Sequence, residues 1–193
     1  MWVRGAAIRP VPAYAHLSRG ALETASRLFE GDPGSDRLAA AMARFETEQP
    51  DLSRQVNRIL DRPLDETAKA LGSFLCLCIW LAFSESFGPR LAALSKDAIA
   101  ATDESIRVEE ELRREHAEEP LDLEDVVLLE QPHVVEWVHE HVDAATDLSR
   151  EEGEGEVDVD DLHLVYRTAL AMSLSLSYGV SPPEGERIRE IMA

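Results

Sequence analysis

The chain has 193 residues, 45% hydrophobic and 30% charged, with 38 acidic against 19 basic side chains and a net charge of −19. That composition fits a soluble globular chain able to bury roughly 70% of its unfolded surface and excludes a disordered one, which would lack the apolar content. The charge argues against nucleic acid or an anionic membrane as partner, since both would be repelled.

The acidic excess is uneven. Residues 103–161 carry all of it, and the remainder is balanced. A solvated acidic face explains this segment; a basic partner or a cation is also compatible with it. The apolar run at 74–83 is about half the length of a membrane span. The N-terminal residues lack a signal-like apolar core. Cys76 and Cys78 lie two apart, on nearly opposite sides of a helix, and cannot bridge each other there. Two free thiols in an apolar segment lead to an expected cytoplasmic location.

In chain order, residues 1–12 read as an irregular arm with Trp2, Val3 and Ile8 available to dock. Apolar residues at helical spacing predict a helix over 13–30, ended by Gly31-Asp32-Pro33-Gly34. Ser35 is the expected cap of a helix over 36–48. Pro50 suits the first position of a helix over 50–60. Asp65 is the expected cap of a long helix to Phe87, apolar on every side and therefore central. Gly88-Pro89 is expected to end it and start a helix over 89–101. A charged helix over 103–118 follows, continuous with it or capped at Thr102-Asp103, and then a short one over 122–130. A helix led by Pro132 carries Val134, Val138 and Val142. Residues 149–156, rich in glutamate and glycine, read as a loop. Asp158 and Asp160 are expected to cap a second apolar helix ending at Tyr178-Gly179. Its stretch 172–178 alternates like a strand, but no other stretch offers a strand partner, so helix is expected. The serines there can bond back to carbonyls one turn earlier or let another backbone approach.

Glu48-Gln49-Pro50 recurs as Glu130-Gln131-Pro132. Each copy leads a short amphipathic helix, a connection, a long apolar helix and an aromatic-Gly pair. This order predicts an internal duplication. The expected fold is an all-α, single-domain helical bundle of about eight helices spanning 1–193. An approximate internal two-fold repeat relates halves at 36–88 and 122–179.

Chemistry-bearing residues are few. Glu136 and His139 form one Glu-x-x-His unit, which puts both on one helix face and is a weak metal candidate; di-iron bundles use two such units plus further carboxylates. Asp160 and His163 are an aspartate version, with His163 more simply a core histidine. Glu85, between Phe83 and Phe87, needs a partner if buried; Arg90 and Arg167 are candidates. A Glu85–Arg167 pair is expected, or a pocket carboxylate. Ser173, Ser175 and Ser177 lack a nucleophile elbow. Trp80 and Trp137 are expected to anchor the core or an interface. No catalytic residue and no cofactor is assigned. The expected function is a non-enzymatic interaction or scaffold protein, self-associating as a homo-oligomer or binding another protein. The alternatives are a metal-dependent bundle enzyme using Glu136 and His139, and a small-molecule binder with a cavity between the two apolar helices near Glu85.

Overall fold

Helices here begin where a side chain can take up the orphaned backbone donors of a first turn. The computed structural model describes residues 8–29, 34–116, 127–128, 130–152 and 157–184. Among them are seven α-helices: α1 (Arg19–Arg27), α2 (Gly34–Glu48), α3 (Pro50–Leu60), α4 (Glu66–Phe87), α5 (Lys96–His116), α6 (Pro132–Glu152) and α7 (Val159–Gly179). Short 3-10 turns occupy Ala13–Ala15 and Gly88–Arg90. Ser18 accepts from Ala21 N, Asp65 from Thr67 N and Ala68 N, and Asp158 from Asp160 N and Asp161 N. Pro50 opens α3, where a missing N–H costs nothing.

The two apolar helices, α4 and α7, are the centre, and they run parallel. Their starts are joined by Asp65 N donating to Asp161 Oδ2 at 2.7 Å. Their ends are joined through Ala92 N on Gly179 O (3.0 Å) and Ser181 N on Arg90 O (2.8 Å). Between these points Gly72 lies so close to α7 that an added Cβ would sit 3.0 Å from both γ-carbons of Val165 and 2.7 Å from Leu60 Cδ2. Any larger side chain there would have to displace Leu60 and press on Val165. At the C-terminus of α4, Gly88 takes φ +49°, a conformation that side chains rarely adopt. It turns the chain back along the helix end.

The other helices cover this pair. α1, α2, α3 and α6 pack on α4; α3, α5 and α6 pack on α7; α1 also meets α6, and α5 meets α3. The span Glu66–Arg90 is the one helix among the described residues long and apolar enough to cross a bilayer, yet 72% of its apolar 18-residue stretch is buried inside the protein. Trp80 and Trp137 are both core residues. Trp80 packs on Phe45 at 5.1 Å between ring centres, and its Nε1 finds no hydrogen-bond partner. Ile8 and Val11 of the arm are buried, and Tyr178 donates to Arg9 O while the Arg9 guanidinium lies 4.5 Å over its ring. Burial pushes the Tyr178 phenol up to about 12, against the pull of Arg9. Trp2 and Val3 lie outside the described residues.

Several expectations need correction. Gly34–Glu48 is helical throughout, so Ser35 lies in the first turn of α2 and is not its cap. Residues 91–95 are not helical: after the 3-10 turn the chain is extended, Leu91 bridges Val180, and α5 begins only at Lys96. Ser95 caps it, accepting from Ala98 N at 3.2 Å. From there one helix runs unbroken to His116, and Thr102 bonds back to Ala98 O inside it. The expected loop at 149–156 is helical as far as Glu152. Residues 153–156, and most of the short helix expected over 122–130, lie outside the described residues; 127, 128 and 130 are helical.

Candidate functional site

Two glutamines tie the helices to the segments that precede α1 and α5. Gln49 is 2% exposed and Gln131 is 0% exposed. Each uses its amide to grip the backbone of an extended segment at two residues, n and n+2, as a neighbouring strand would. Gln49 Oε1 accepts from Leu94 N at 2.8 Å, and its Nε2 donates to Ala92 O at 3.0 Å. Gln131 Oε1 accepts from Leu17 N at 3.0 Å; its Nε2 donates to Ala15 O and to Ser177 Oγ, both at 2.8 Å. The amide suits this because it offers one acceptor and two donors. Proline follows each glutamine and withholds its own N–H.

The Gln49 grip fixes α5 beside α3, and two further bonds continue it. Lys96 N donates to Asp51 Oδ2 at 3.2 Å, and Gln55 Nε2 to Asp103 Oδ2 at 2.7 Å. Between these two helices and α7 lies a cavity of about 210 Å³. Leu52, Val56, Ile99, Ile106 and Met172 form its buried apolar floor. Gln55, Asp103 and Arg167 stand towards the mouth, where Asp103 is exposed and the other two are half-buried.

The helix α7 adds hydroxyls to this wall. Thr168 Oγ1 bonds back to Leu164 O, Ser173 Oγ to Leu170 O and Ser177 Oγ to Ser173 O, each at 2.7 Å. Such back-bonding is the ordinary fate of a helical hydroxyl. Ser175 departs from it. It lines the cavity, is 3% exposed, and makes no hydrogen bond among the described residues. Its oxygen is nonetheless absent from the sealed, partnerless buried atoms, so it opens onto the cavity.

The residues singled out from the sequence are dispersed. Glu85 is exposed, at 63% of its side chain, and pairs with Arg44 at 2.9 Å. It faces α2, whereas Arg167 lines the cavity with α3 and α5, so the expected Glu85–Arg167 pair does not form. Arg44 also holds Glu48 (2.6 Å) and Ser84 (2.7 Å), and these carboxylates, Glu48 first, hold its guanidinium further above its ordinary range. Arg90 lies over the Phe87 ring. Glu136 and His139 diverge: Glu136 is exposed beside His133 at 3.5 Å, while His139 Nε2 meets Tyr166 Oη at 2.7 Å with the rings stacked. Among the described residues no three His, Cys, Asp or Glu side chains gather as a metal site would require. His163 is exposed, not a core histidine. Cys76 and Cys78 are buried free thiols; burial pushes the Cys76 thiol up to about 12 and Cys78 higher still, so both are chemically quiet.

Arg167 was legible as an isolated charge in an apolar helix. Gln55, Asp103 and Thr168 gave no signal, since each sits on a helix that carries exposed polar residues elsewhere. For Ser175 the sequence offered a back-bonded hydroxyl, a close backbone approach or a nucleophile without its elbow, and none of these points to a cavity wall. The two glutamines were visible as a repeated triplet, and the triplet alone does not say that they are buried. Comparison with protein-family models, with curated proteins and with solved structures finds no match to this chain.

Proposed function

We propose that the chain binds a small molecule in the cavity between α3, α5 and α7, and that this cavity is one of two equivalent positions in a duplicated fold. The duplication is larger than the Glu-Gln-Pro triplet. Ala15-His16-Leu17-Ser18-Arg19 matches Ala92-Ala93-Leu94-Ser95-Lys96, and each glutamine grips the opening segment of the other half. Gln49 N donates to Phe45 O and Gln131 N to Val127 O, so a helical turn precedes each glutamine; the helical residues 127, 128 and 130 then answer the end of α2. By this alignment α1 answers α5, α3 answers α6 and α4 answers α7.

The observation that carries the reading is the fate of the second position. Aligning the two glutamines, the two capping serines Ser18 and Ser95, and the two capping aspartates Asp65 and Asp158 pairs four cavity residues with four others. Gln55, Ile59, Ile106 and Arg167 answer Trp137, His141, Phe29 and Phe74. Those four rings form one cluster, with centres 4.2 Å (Trp137–His141, tilted), 5.3 Å (Phe74–His141, tilted), 5.9 Å (Phe74–Trp137, stacked) and 6.4 Å (Phe29–Phe74, edge-on) apart. One position is thus filled by aromatic rings. In the other, two aliphatic side chains and two flexible polar ones take the place of the rings and border the cavity, in the manner of ligand sites lined by apolar walls and a few polar groups. The two quiet thiols keep the cytoplasm as the expected compartment.

Titration with toluene, followed by the methyl resonances of Ile99, Ile106 and Met172, tests this. Saturable shifts at those methyls are expected, with none at Val134 and Val138 beside the filled position, and Ala171→Leu should abolish them. Toluene at its solubility limit that moves none of the three methyls overturns the proposal.

A further inference from the structure

We infer that the ligand of this cavity is an uncharged amphiphile of roughly eight non-hydrogen atoms whose buried end seats one oxygen on the Ser175 hydroxyl; the inference rests on the cavity being a binding site. Size comes from volume. A cavity of about 150 Å³ holds benzene, ~25 Å³ per non-hydrogen atom, so about 210 Å³ holds roughly eight.

Chemistry comes from the distribution of polar groups. The deep wall is aliphatic except at Thr168, whose hydroxyl is spent on Leu164 O, and at Ser175, whose hydroxyl is neither back-bonded nor sealed. Ser173 and Ser177, each two residues away and so on the other side of the helix, both spend their hydroxyls on backbone carbonyls. One hydroxyl can donate to or accept from a neutral oxygen and satisfy it. It cannot offset the burial of a charge, which needs a paired and hydrogen-bonded partner. The charged side chains of the lining, Asp103 and Arg167, stand at the mouth, where Asp103 accepts from Gln55. The net charge of −19 further disfavours an anion. An alcohol or ketone on a short apolar body meets all of these conditions; its tail lies against Leu52, Ile99, Ile106 and Met172.

The test is calorimetric or NMR titration of the intact chain at neutral pH with heptanol, heptanone, heptanoate and toluene. Heptanol and heptanone should saturate the cavity, with heptanoate at least about tenfold weaker than heptanol. Ser175→Ala should weaken heptanol and heptanone about three- to tenfold, the worth of one net hydrogen bond, and leave toluene within about twofold. Because Ser175 makes no hydrogen bond to the protein, Ser175→Ala should melt with the parent. Ala171→Leu should remove binding of all four. Heptanoate binding as tightly as heptanol in the parent protein, or Ser175→Ala leaving heptanol unchanged, overturns the ligand class while toluene binding leaves the cavity reading intact. If toluene also fails, both fall together.

Discussion

Replacing Gln131 by leucine should be among the most damaging single changes in this protein, and more damaging than the same change at Gln49. Gln131→Leu leaves Leu17 N–H and Ala15 C=O without partners in a region where Ala15 and Gln131 are 0% and Leu17 2% exposed. Ser177 still donates to Ser173 O, so its loss is minor. Two orphaned buried groups at ~1–3 kcal/mol each, less ~1 kcal/mol for the apolar replacement, give about 1–5 kcal/mol. The upper end is a large part of a total of ~5–15 kcal/mol, and the range is roughly 2–20 °C in melting temperature for a chain of this size. At Gln49 the carbonyl lost belongs to Ala92, an exposed residue, so water can replace the amide; one orphaned N–H, that of Leu94, less the same ~1 kcal/mol leaves a loss of about 0–2 kcal/mol. Gln131→Glu adds a pH test. Burial raises a carboxyl there above its unfolded value near ~4.3, so the native state binds more protons than the unfolded state between the two values. Stability must therefore rise as pH falls through that window and be lowest above it. Urea unfolding with a constant slope measures all three variants. Gln131→Leu within ~0.5 kcal/mol of the parent, or Gln49→Leu as the costlier change, would refute the reasoning.

Glu85→Gln should cost no more than ~1 kcal/mol, as befits an exposed pair with Arg44; a loss of ~3–5 kcal/mol in chemical unfolding would signal a buried ion pair instead. Gly72→Ala sets a helix-propensity gain of ~1 kcal/mol against overpacking of ~1–3 kcal/mol. Leu60 can swing aside, but Val165 is β-branched and stiff, so a net loss of about 1–2 kcal/mol is expected; a raised urea midpoint would show that Val165 gives way.

Much of the architecture could be read along the chain because its signals are local. Pro50, Asp65 and Asp158 start helices by chemistry that involves only the next three residues. The apolar runs of α4 and α7 identify themselves as central by having no polar face. Failures came where distant partners decide. Pro89 resembles a helix start, but Gln49 holds Ala92 and Leu94 extended, and that grip bridges more than forty positions. Glu85 was misread by its apolar neighbours: Phe83 and Phe87 are each two residues away, hence on the other side of the helix. The cavity is a difference in side-chain volume across three helices. Its lining comes from positions as far apart in the chain as Leu52, Ile106 and Ser175, which no local pattern joins.

The crossed glutamines also impose a timetable on synthesis. Leu17 emerges from the ribosome 114 residues before the side chain that will hold it, a wait of roughly ten seconds at ordinary elongation rates. Gln49 waits only 45 residues for Leu94. The first latch can therefore close on a nascent chain while the leading strand still hangs loose, and the last latch closes only when most of the polypeptide has been made.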